Sequence, residues 1–305
     1  MRMCAKTVAF LIVASTLSAC GGGGGGGGSV PVTAFTTWRT DVAGKSILVN
    51  GDGKQVSYTY DLRSDLITQI SDPPLDGAAS AIFTFDNASV LTGLLLSSAG
   101  TTVGNFGAGD IGILAADSDF VDADDRFSSR AIVSNPRSLA WDYQSFGVWE
   151  TGLDADSGYY GAMSLGAATA GTAIPVSGTA DFSGKVVGNY VNNAGTGHTV
   201  LANLNVRVDW GTQSLNLSTT GTRMTYNEAE VPFSANPSLD MSNQTLSYAA
   251  GTNSFSGTLT TPGGLSGNSS GTFYGPNAQE LGGVFFLRGS GLETYSGAYG
   301  AKQIP

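Results

Sequence analysis

The stretch Val176–Tyr190, VSGTADFSGKVVGNY, decides the fold class of this chain. Successive side chains of a β-strand point to opposite faces of a sheet, so a strand with one buried face shows apolar residues at every second position. One face here carries Val176, Gly178, Ala180, Phe182, Gly184, Val186, Gly188 and Tyr190, and the other carries Ser177, Thr179, Asp181, Ser183, Lys185, Val187 and Asn189. The pattern predicts a strand or hairpin with one buried face.

The same period recurs downstream. In Asn203–Trp210, NLNVRVDW, apolar and polar residues alternate, and Leu215, Leu217 and Phe255 continue the pattern. The 44 glycines are too many for helices, while the 41% of hydrophobic residues is too high for a disordered chain. The predicted class is all-β, and glycines on inward faces suit the close backbone approach of a small barrel.

The first half of the chain is predicted to be β-rich but less regular. Residues 45–49 and 55–60 are predicted strands, and Asn50–Gly53, NGDG, has the residues of a hairpin turn between them. The acidic segment Asp117–Arg130 is expected to be a surface excursion. A domain boundary is expected near residues 151–158, where the glycine-punctuated strands begin.

The N-terminus is typical of a bacterial lipoprotein. Residues 1–19 combine a positively charged start, a short apolar region and small residues before a cleavage site, which is the pattern of a secretory signal peptide. Leu17–Cys20, LSAC, fits a lipobox, in which the thiol of Cys20 is acylated, for example with palmitate. Residues 20–29 continue with eight glycines and Ser29, which predicts a flexible tether because glycine has no side chain to bury. An ordinary signal peptide with a chance cysteine is the alternative.

Charge and cysteine content limit the partners. Two of the 14 basic residues, Arg2 and Lys6, belong to the predicted signal, which leaves 12 basic against 24 acidic residues. An acidic chain argues against nucleic-acid binding and against electrostatic attachment to anionic lipid. Cys4 leaves with the signal and Cys20 is acylated, so no disulfide is expected. No later stretch is a candidate membrane span, which leaves the acyl chains as the membrane anchor. Gly21 is not the aspartate that retains lipoproteins in the inner membrane, so the outer membrane is favoured.

No catalytic site is predicted. Gly267–Gly271, GNSSG, matches the pattern of a serine-hydrolase nucleophile elbow, but it lies in an all-β region without the strand–turn–helix and histidine partner that this chemistry needs. Gly107–Gly112, GAGDIG, matches a dinucleotide-binding pattern without a βαβ unit and is predicted to be a turn.

No metal site or cofactor is predicted either. His198 is the only histidine, so a typical zinc site is excluded. We expect it to be a solvated loop residue, and axial ligation of haem is the alternative. The aspartates between Asp117 and Asp125 lack the glycine and glutamate of an EF-hand loop, so a solvated acidic loop is favoured over a calcium site.

Motifs near the C-terminus resemble a known family. Gly271–Phe285, GTFYGPNAQELGGVF, is similar to the closing barrel motif of the transferrin-binding protein B family, and Gly297–Lys302, GAYGAK, resembles its terminal strand. Gly178–Tyr190 resembles an earlier barrel hairpin, and Ser145–Trp149, SFGVW, a motif ahead of the barrel. The likeness covers roughly residues 145–305, and the Phe273–Ala278 motif occurs once, which implies a single lobe.

The resemblance implies an architecture and a function. It implies an eight-stranded antiparallel barrel over residues 156–305, preceded by a smaller β-rich handle over residues 30–155. The implied function is that of a non-catalytic surface lipoprotein that captures a host or environmental protein or nutrient carrier, of the iron- or haem-acquisition type, with a TonB-dependent receptor as a further partner. Two alternatives stay open: a small-ligand lipoprotein that binds haem, and a structural or adhesive protein without a dedicated ligand. The ligand-contacting loops vary in the family, so no ligand-binding residue is carried over.

Overall fold

The computed structural model describes residues 31–39, 41–226, 233–242 and 244–305. The predicted signal peptide, Cys20 and the polyglycine tether lie outside the described residues. None of the helices in the described ranges has the length and apolarity needed to cross a membrane. The described chain forms strands and two short 3-10 helices, Gly171–Ala173 and Pro237–Leu239, which confirms the all-β class.

The N-terminal strands form one eleven-stranded sheet, here called the handle. Its strands are β1 Val32–Ala34, β2 Ser46–Asp61, β3 Leu66–Ile70, β4 Leu75–Phe85, β5 Leu91–Ser98, β6 Thr101–Gly107, β7 Ile111–Ile113, β8 Phe120–Asp124, β9 Ser129–Ser134, β10 Gln144–Thr151 and β11 Ser157–Gly166. They follow the order β6-β5-β4-β2-β11-β10-β9-β8-β7, with β1 and β3 also paired to β2. The sheet curves into a nearly closed barrel around an apolar core that includes Leu94, Leu96, Phe106 and Trp149.

The C-terminal strands form a closed barrel. They are β12 Thr179–Val191, β13 Gly197–Asp209, β14 Ser214–Tyr226, β15 Ser234–Ala235, β16 Gln244–Tyr248, β17 Ser254–Thr260, β18 Ser266–Tyr274, β19 Glu280–Arg288 and β20 Thr294–Gln303. The pairing of β13 with β14 closes the ring β12-β13-β14-β16-β17-β18-β19-β20, and the short β15 attaches to β14. All these pairings are antiparallel, as the resemblance implied.

The barrel strands follow the period that the sequence shows. Phe182 and Val186 of β12 point into the barrel core together with Phe273, Phe285 and Tyr299. Closure leaves this sheet without long unpaired edges, which are the usual sites of edge-to-edge aggregation.

Two features of the handle differ from the sequence-based expectations. The predicted hairpin turn at Asn50–Gly53 was wrong, because β2 runs through it without interruption. A Cβ at Gly51 would overlap the carbonyl oxygen of Ser164, and one at Gly53 would overlap the hydroxyl of Ser98, so these glycines serve close strand approach. Strand β11 lies beyond the boundary expected at residues 155 and 156, yet it pairs with β10 and β2 of the handle. The change of sheet therefore falls between β11 and β12.

Candidate functional site

The handle and the barrel share one apolar core. Trp141, Phe146 and Val148 from the handle side pack in the same cluster as Val187 and Leu201 of the barrel. Val187 is on the outward, polar face of β12 by the alternation, and it is buried because the handle covers that face. The continuous core fixes the handle relative to the barrel.

A buried carboxyl group lies at this junction. Glu280, the first residue of β19, is fully buried and accepts hydrogen bonds from the backbone N–H groups of Asp142 at 2.6 Å and Tyr143 at 2.9 Å. Burial raises the pKa of Glu280 from 4.5 to about 7, although the two donors favour the ionised form. Burial also acts to raise the pKa of Asp142, but the bonds from Arg39 and Lys302 outweigh it and hold that pKa below its usual value. The junction thus joins the N-terminal segment, the handle and two barrel strands.

The acidic segment is part of the same contact. Asp117 accepts hydrogen bonds from Lys185 at 3.1 Å and Arg223 at 3.0 Å, both on the barrel, and Asp119 pairs with Lys185 at 3.1 Å. The expectation of a surface excursion was wrong here, because the segment includes β8, whose Phe120 is fully buried. In the part of the chain that the structure describes, no group of three or more His, Cys, Asp or Glu residues is arranged to hold a metal ion.

His198 lies on β13 rather than in a loop. Its Nδ1 is 3.2 Å from the carbonyl oxygen of Thr225, and its ring stacks on Tyr190 with a centroid separation of 5.8 Å. The Tyr190 hydroxyl donates to Glu293 at 2.8 Å. Burial lowers the pKa of His198 below its usual 6.5, against the effect of the Thr225 bond, so the imidazole is mainly neutral at pH 7.

The two motif matches are structural. Ser269 of GNSSG lies on β18, where its hydroxyl is 2.9 Å from the Tyr299 hydroxyl and donates to the Val284 carbonyl at 3.2 Å. A strand in place of a strand–turn–helix excludes a nucleophile elbow at this position. GAGDIG connects β6 to β7, and the N–H of Gly107 donates to the Asp110 carboxylate at 2.8 Å, as in a turn.

Three neighbouring loops at one end of the handle expose apolar side chains. We call residues 62–65, 125–128 and 152–156 the distal surface. Loops 125–128 and 152–156 are in contact, because the N–H of Gly152 donates to the carbonyl of Ser128 at 2.7 Å. The N–H of Tyr60, at the end of β2 just before loop 62–65, donates to the carbonyl of Asp156 at 2.8 Å. Phe127 is 76% exposed, and Leu62 is exposed on the neighbouring loop.

The loop that carries Phe127 is ordered by one carboxylate. Asp125 Oδ1 accepts the backbone N–H groups of Phe127 at 2.9 Å, Ser128 at 2.8 Å and Ser129 at 3.0 Å. Burial acts to raise the pKa of Asp125, but these donors outweigh it and hold the pKa below its usual value. The apolar ring is therefore presented by a pre-ordered turn, which lowers the entropy cost of a contact.

A shallow groove continues the distal surface along the sheet. It has a volume of ≈ 350 Å³ and is lined by β2, β3 and β11, with Tyr159 at its side. Neither the groove nor the three loops had been predicted as a binding region from the sequence. One signal was present, since Phe127 is a lone aromatic residue within the polar run Asp124–Ser129. The adjacency of the three loops is set by strand order and has no local signal.

The two sheets and their shared core define a barrel-and-handle β protein. Residues 174–303 match the family model described as C-lobe and N-lobe beta barrels of Tf-binding protein B. The match covers the barrel, and the chain is transferrin-binding protein B-like with a single lobe. This confirms the resemblance found in the C-terminal motifs.

Solved structures of transferrin-binding protein B are similar at low identity. A mutant from Haemophilus parasuis Hp5 is 14% identical, with a TM-score of 0.45 over 85% of this chain and 76% of that one. The isotype 1 protein from serogroup B Neisseria meningitidis is 12% identical, with a TM-score of 0.38 over 86% of this chain and 77% of that one. A protein described only as a surface lipoprotein is 14% identical, with a TM-score of 0.39 over 83% of this chain and 98% of that one. No curated protein matches the chain in sequence.

Proposed function

We propose that this chain is a non-catalytic surface lipoprotein that captures a protein partner, of the host or the environment, such as a nutrient carrier. The observation that carries the proposal is the match of residues 174–303 to barrels of a protein named for binding transferrin. An iron-carrying protein is therefore the first class of partner to test, with a TonB-dependent receptor as the acceptor of its cargo.

The distal surface is the proposed contact region. Phe127 and Leu62 offer apolar area, and charged residues of both signs surround them in the same loops, including Arg63, Asp65 and Arg126. Protein interfaces commonly combine an apolar centre with a polar rim, and aromatic residues contribute most to their affinity. Loops on a rigid sheet are also the usual place for binding residues.

Capture is tested with the full chain immobilised on a surface. Candidate iron-carrier proteins are passed over it, and the retained protein is quantified by surface plasmon resonance. We expect Phe127→Ala to weaken binding at least about tenfold, which corresponds to about 1.4 kcal/mol. The matched control is Val176→Ala, because Val176 is 83% exposed and lies ahead of the barrel, away from the loops. Equal losses in both variants, or no binding across a broad panel of carriers, would contradict the proposal.

Anchoring at Cys20 and display on the outer membrane are separate parts of the proposal. They rest on the lipobox, the glycine tether and Gly21. Labelled palmitate is expected to be incorporated into the full chain and not into the Cys20→Ser variant. Protease added to intact cells is expected to degrade the acylated protein. A protected protein would place it on the periplasmic side and exclude capture of an external partner.

A further inference from the structure

The handle contains an apolar cavity that the protein-capture function does not use. Its volume is ≈ 390 Å³, and it lies inside the curved sheet between β4 and β5 on one side and β7, β8 and β9 on the other. Phe83, Leu94 and Val133 form its buried part. The exposed side chains of Val90 and Ile113 lie at its mouth, away from the distal loops.

The lining selects the chemistry of a ligand. Arg137 is the one charged residue in the lining, so the cavity has no negative charge that could bind a cation. The lining also has no histidine, cysteine, methionine or tyrosine, which are the usual axial ligands of haem iron. Apolar lining with a few polar groups at one end is typical of a site for a small amphipathic molecule.

Arg137 supplies the polar end. It is exposed in the loop after β9, and its Nη1 donates to the carbonyl oxygen of Ser89 at 2.6 Å, across the mouth. In the described ranges, no carboxylate forms an ion pair with Arg137, so its charge is available to an anion. A guanidinium presents a planar set of donors that matches a carboxylate.

We propose that the handle cavity binds a medium- to long-chain fatty acid, with its carboxylate at Arg137 and its chain among Phe83, Leu94 and Val133. A dry cavity of about 150 Å³ holds benzene, so the handle cavity has room for an alkyl chain of on the order of a dozen carbons. The acyl chains expected on Cys20 share this alkyl chemistry. They lack a free carboxylate, so the position of Arg137 favours a free acid.

The test uses 12-bromododecanoate, because bromine quenches tryptophan fluorescence at short range and the ring of Trp38 lines the cavity. The full chain carrying Cys20→Ser is expected to show saturable quenching. Dodecanoate should displace the probe. Dodecanol and dodecyltrimethylammonium lack the carboxylate that would pair with Arg137, so they should displace the probe at least about tenfold less effectively, because charge-assisted hydrogen bonds are stronger than neutral ones. Arg137→Gln should weaken binding of the probe about tenfold, and Arg207→Gln, which changes an exposed arginine of the barrel, should leave it unchanged.

Two variants fill the site from different positions. Val121→Phe enlarges a buried lining residue, and Val90→Phe narrows the exposed mouth and leaves the core intact. Both are expected to abolish saturable quenching, and Val176→Phe is the exposed control. Absence of quenching, quenching that survives both filling variants, or equal competition by the cationic surfactant would overturn the proposal.

A last comparison separates the two sources of an alkyl chain. The acylated full chain in lipid nanodiscs is expected to bind the probe as the Cys20→Ser protein does. If the Cys20→Ser protein binds the probe and the acylated protein does not, the protein's own acyl chains occupy the cavity, and the proposal is overturned. Either result leaves the capture experiment with Phe127→Ala unaffected, so the two proposals fail independently.

Discussion

Replacing the buried Glu280 by glutamine should remove a pH dependence of stability. The pKa of Glu280 is raised to about 7 in the folded chain from 4.5, mainly by burial. A carboxyl group whose folded pKa is raised stabilises the fold in full below its unfolded pKa, and this contribution is lost as the pH rises through the folded pKa. The wild-type chain should therefore lose stability between about pH 4.5 and pH 7, and Glu280→Gln should lack this loss.

The magnitude follows from the size of the shift. A difference of about 2.5 pKa units corresponds to on the order of 3 kcal/mol, because one unit is about 1.4 kcal/mol. Glu280 has no exposed surface, so screening by solvent does not reduce this figure. Asp142 acts in the opposite direction, because its pKa is lowered and its contribution is lost only as the pH falls through that lowered value. Measurements between pH 5 and pH 8 keep Asp142 ionised. His198, whose pKa is lowered from 6.5, also titrates in this range, but its contribution is common to both proteins and cancels in their difference.

The assay is urea unfolding of both proteins at several pH values, followed by tryptophan fluorescence. Glu280→Gln also weakens one bond to the backbone of Asp142 or Tyr143, so its stability at pH 5 is expected to be lower than that of the wild type. The deciding quantity is the slope of the free energy of unfolding against pH. Parallel slopes for the two proteins over pH 5–8 would refute the assignment of a raised pKa to Glu280.

Three further changes test packing within and between the sheets. Gly161→Ala should destabilise the handle by about 1–3 kcal/mol, because its Cβ would lie 2.7 Å from the ring of Trp149, whereas Gly197→Ala has open space and should be tolerated in thermal unfolding. Phe285→Ala should cost about 3–5 kcal/mol in urea unfolding, since this ring is fully buried in the barrel core, and a loss under 1 kcal/mol would contradict that packing. Asp117→Asn should loosen the contact between the sheets, seen as faster proteolysis in the segment between β11 and β12, and an unchanged cleavage rate would count against the ion pairs.

The barrel was predictable from the sequence because each strand buries one face and its glycines mark positions where neighbouring strands approach closely. From Ala180 to Tyr190 the alternation gives the inward residues, and Val187 and Asn189 of the outer face are buried because the handle covers that face. Val176, predicted on the buried face, lies ahead of β12 and is 83% exposed. The handle was harder to predict. All six residues of Ser129–Ser134 are buried, so β9 shows no alternation, and the NGDG sequence of β2 has high turn propensity that tertiary packing overrides.

The surfaces proposed for binding depend on strand order, which has no local signature. Residues 62–65 and 152–156 meet because β2 and β11 pair, although these strands are far apart in the sequence. The cavity likewise needs β4 and β9 to face each other across a curved sheet. The roles of His198 and the acidic segment were hard to predict for the same reason, since their partners Thr225 and Lys185 come from other strands.

The order in which the barrel strands occur in the chain has a consequence for folding. Strand β20, which pairs with both β12 and β19, is the last of the eight to be synthesised. Until Tyr295 and Tyr299 arrive, the ring has two open edges and an unfilled interior. A nascent chain therefore cannot complete this barrel before its last strand is available, and β12 and β19 keep an unpaired edge until β20 pairs with both.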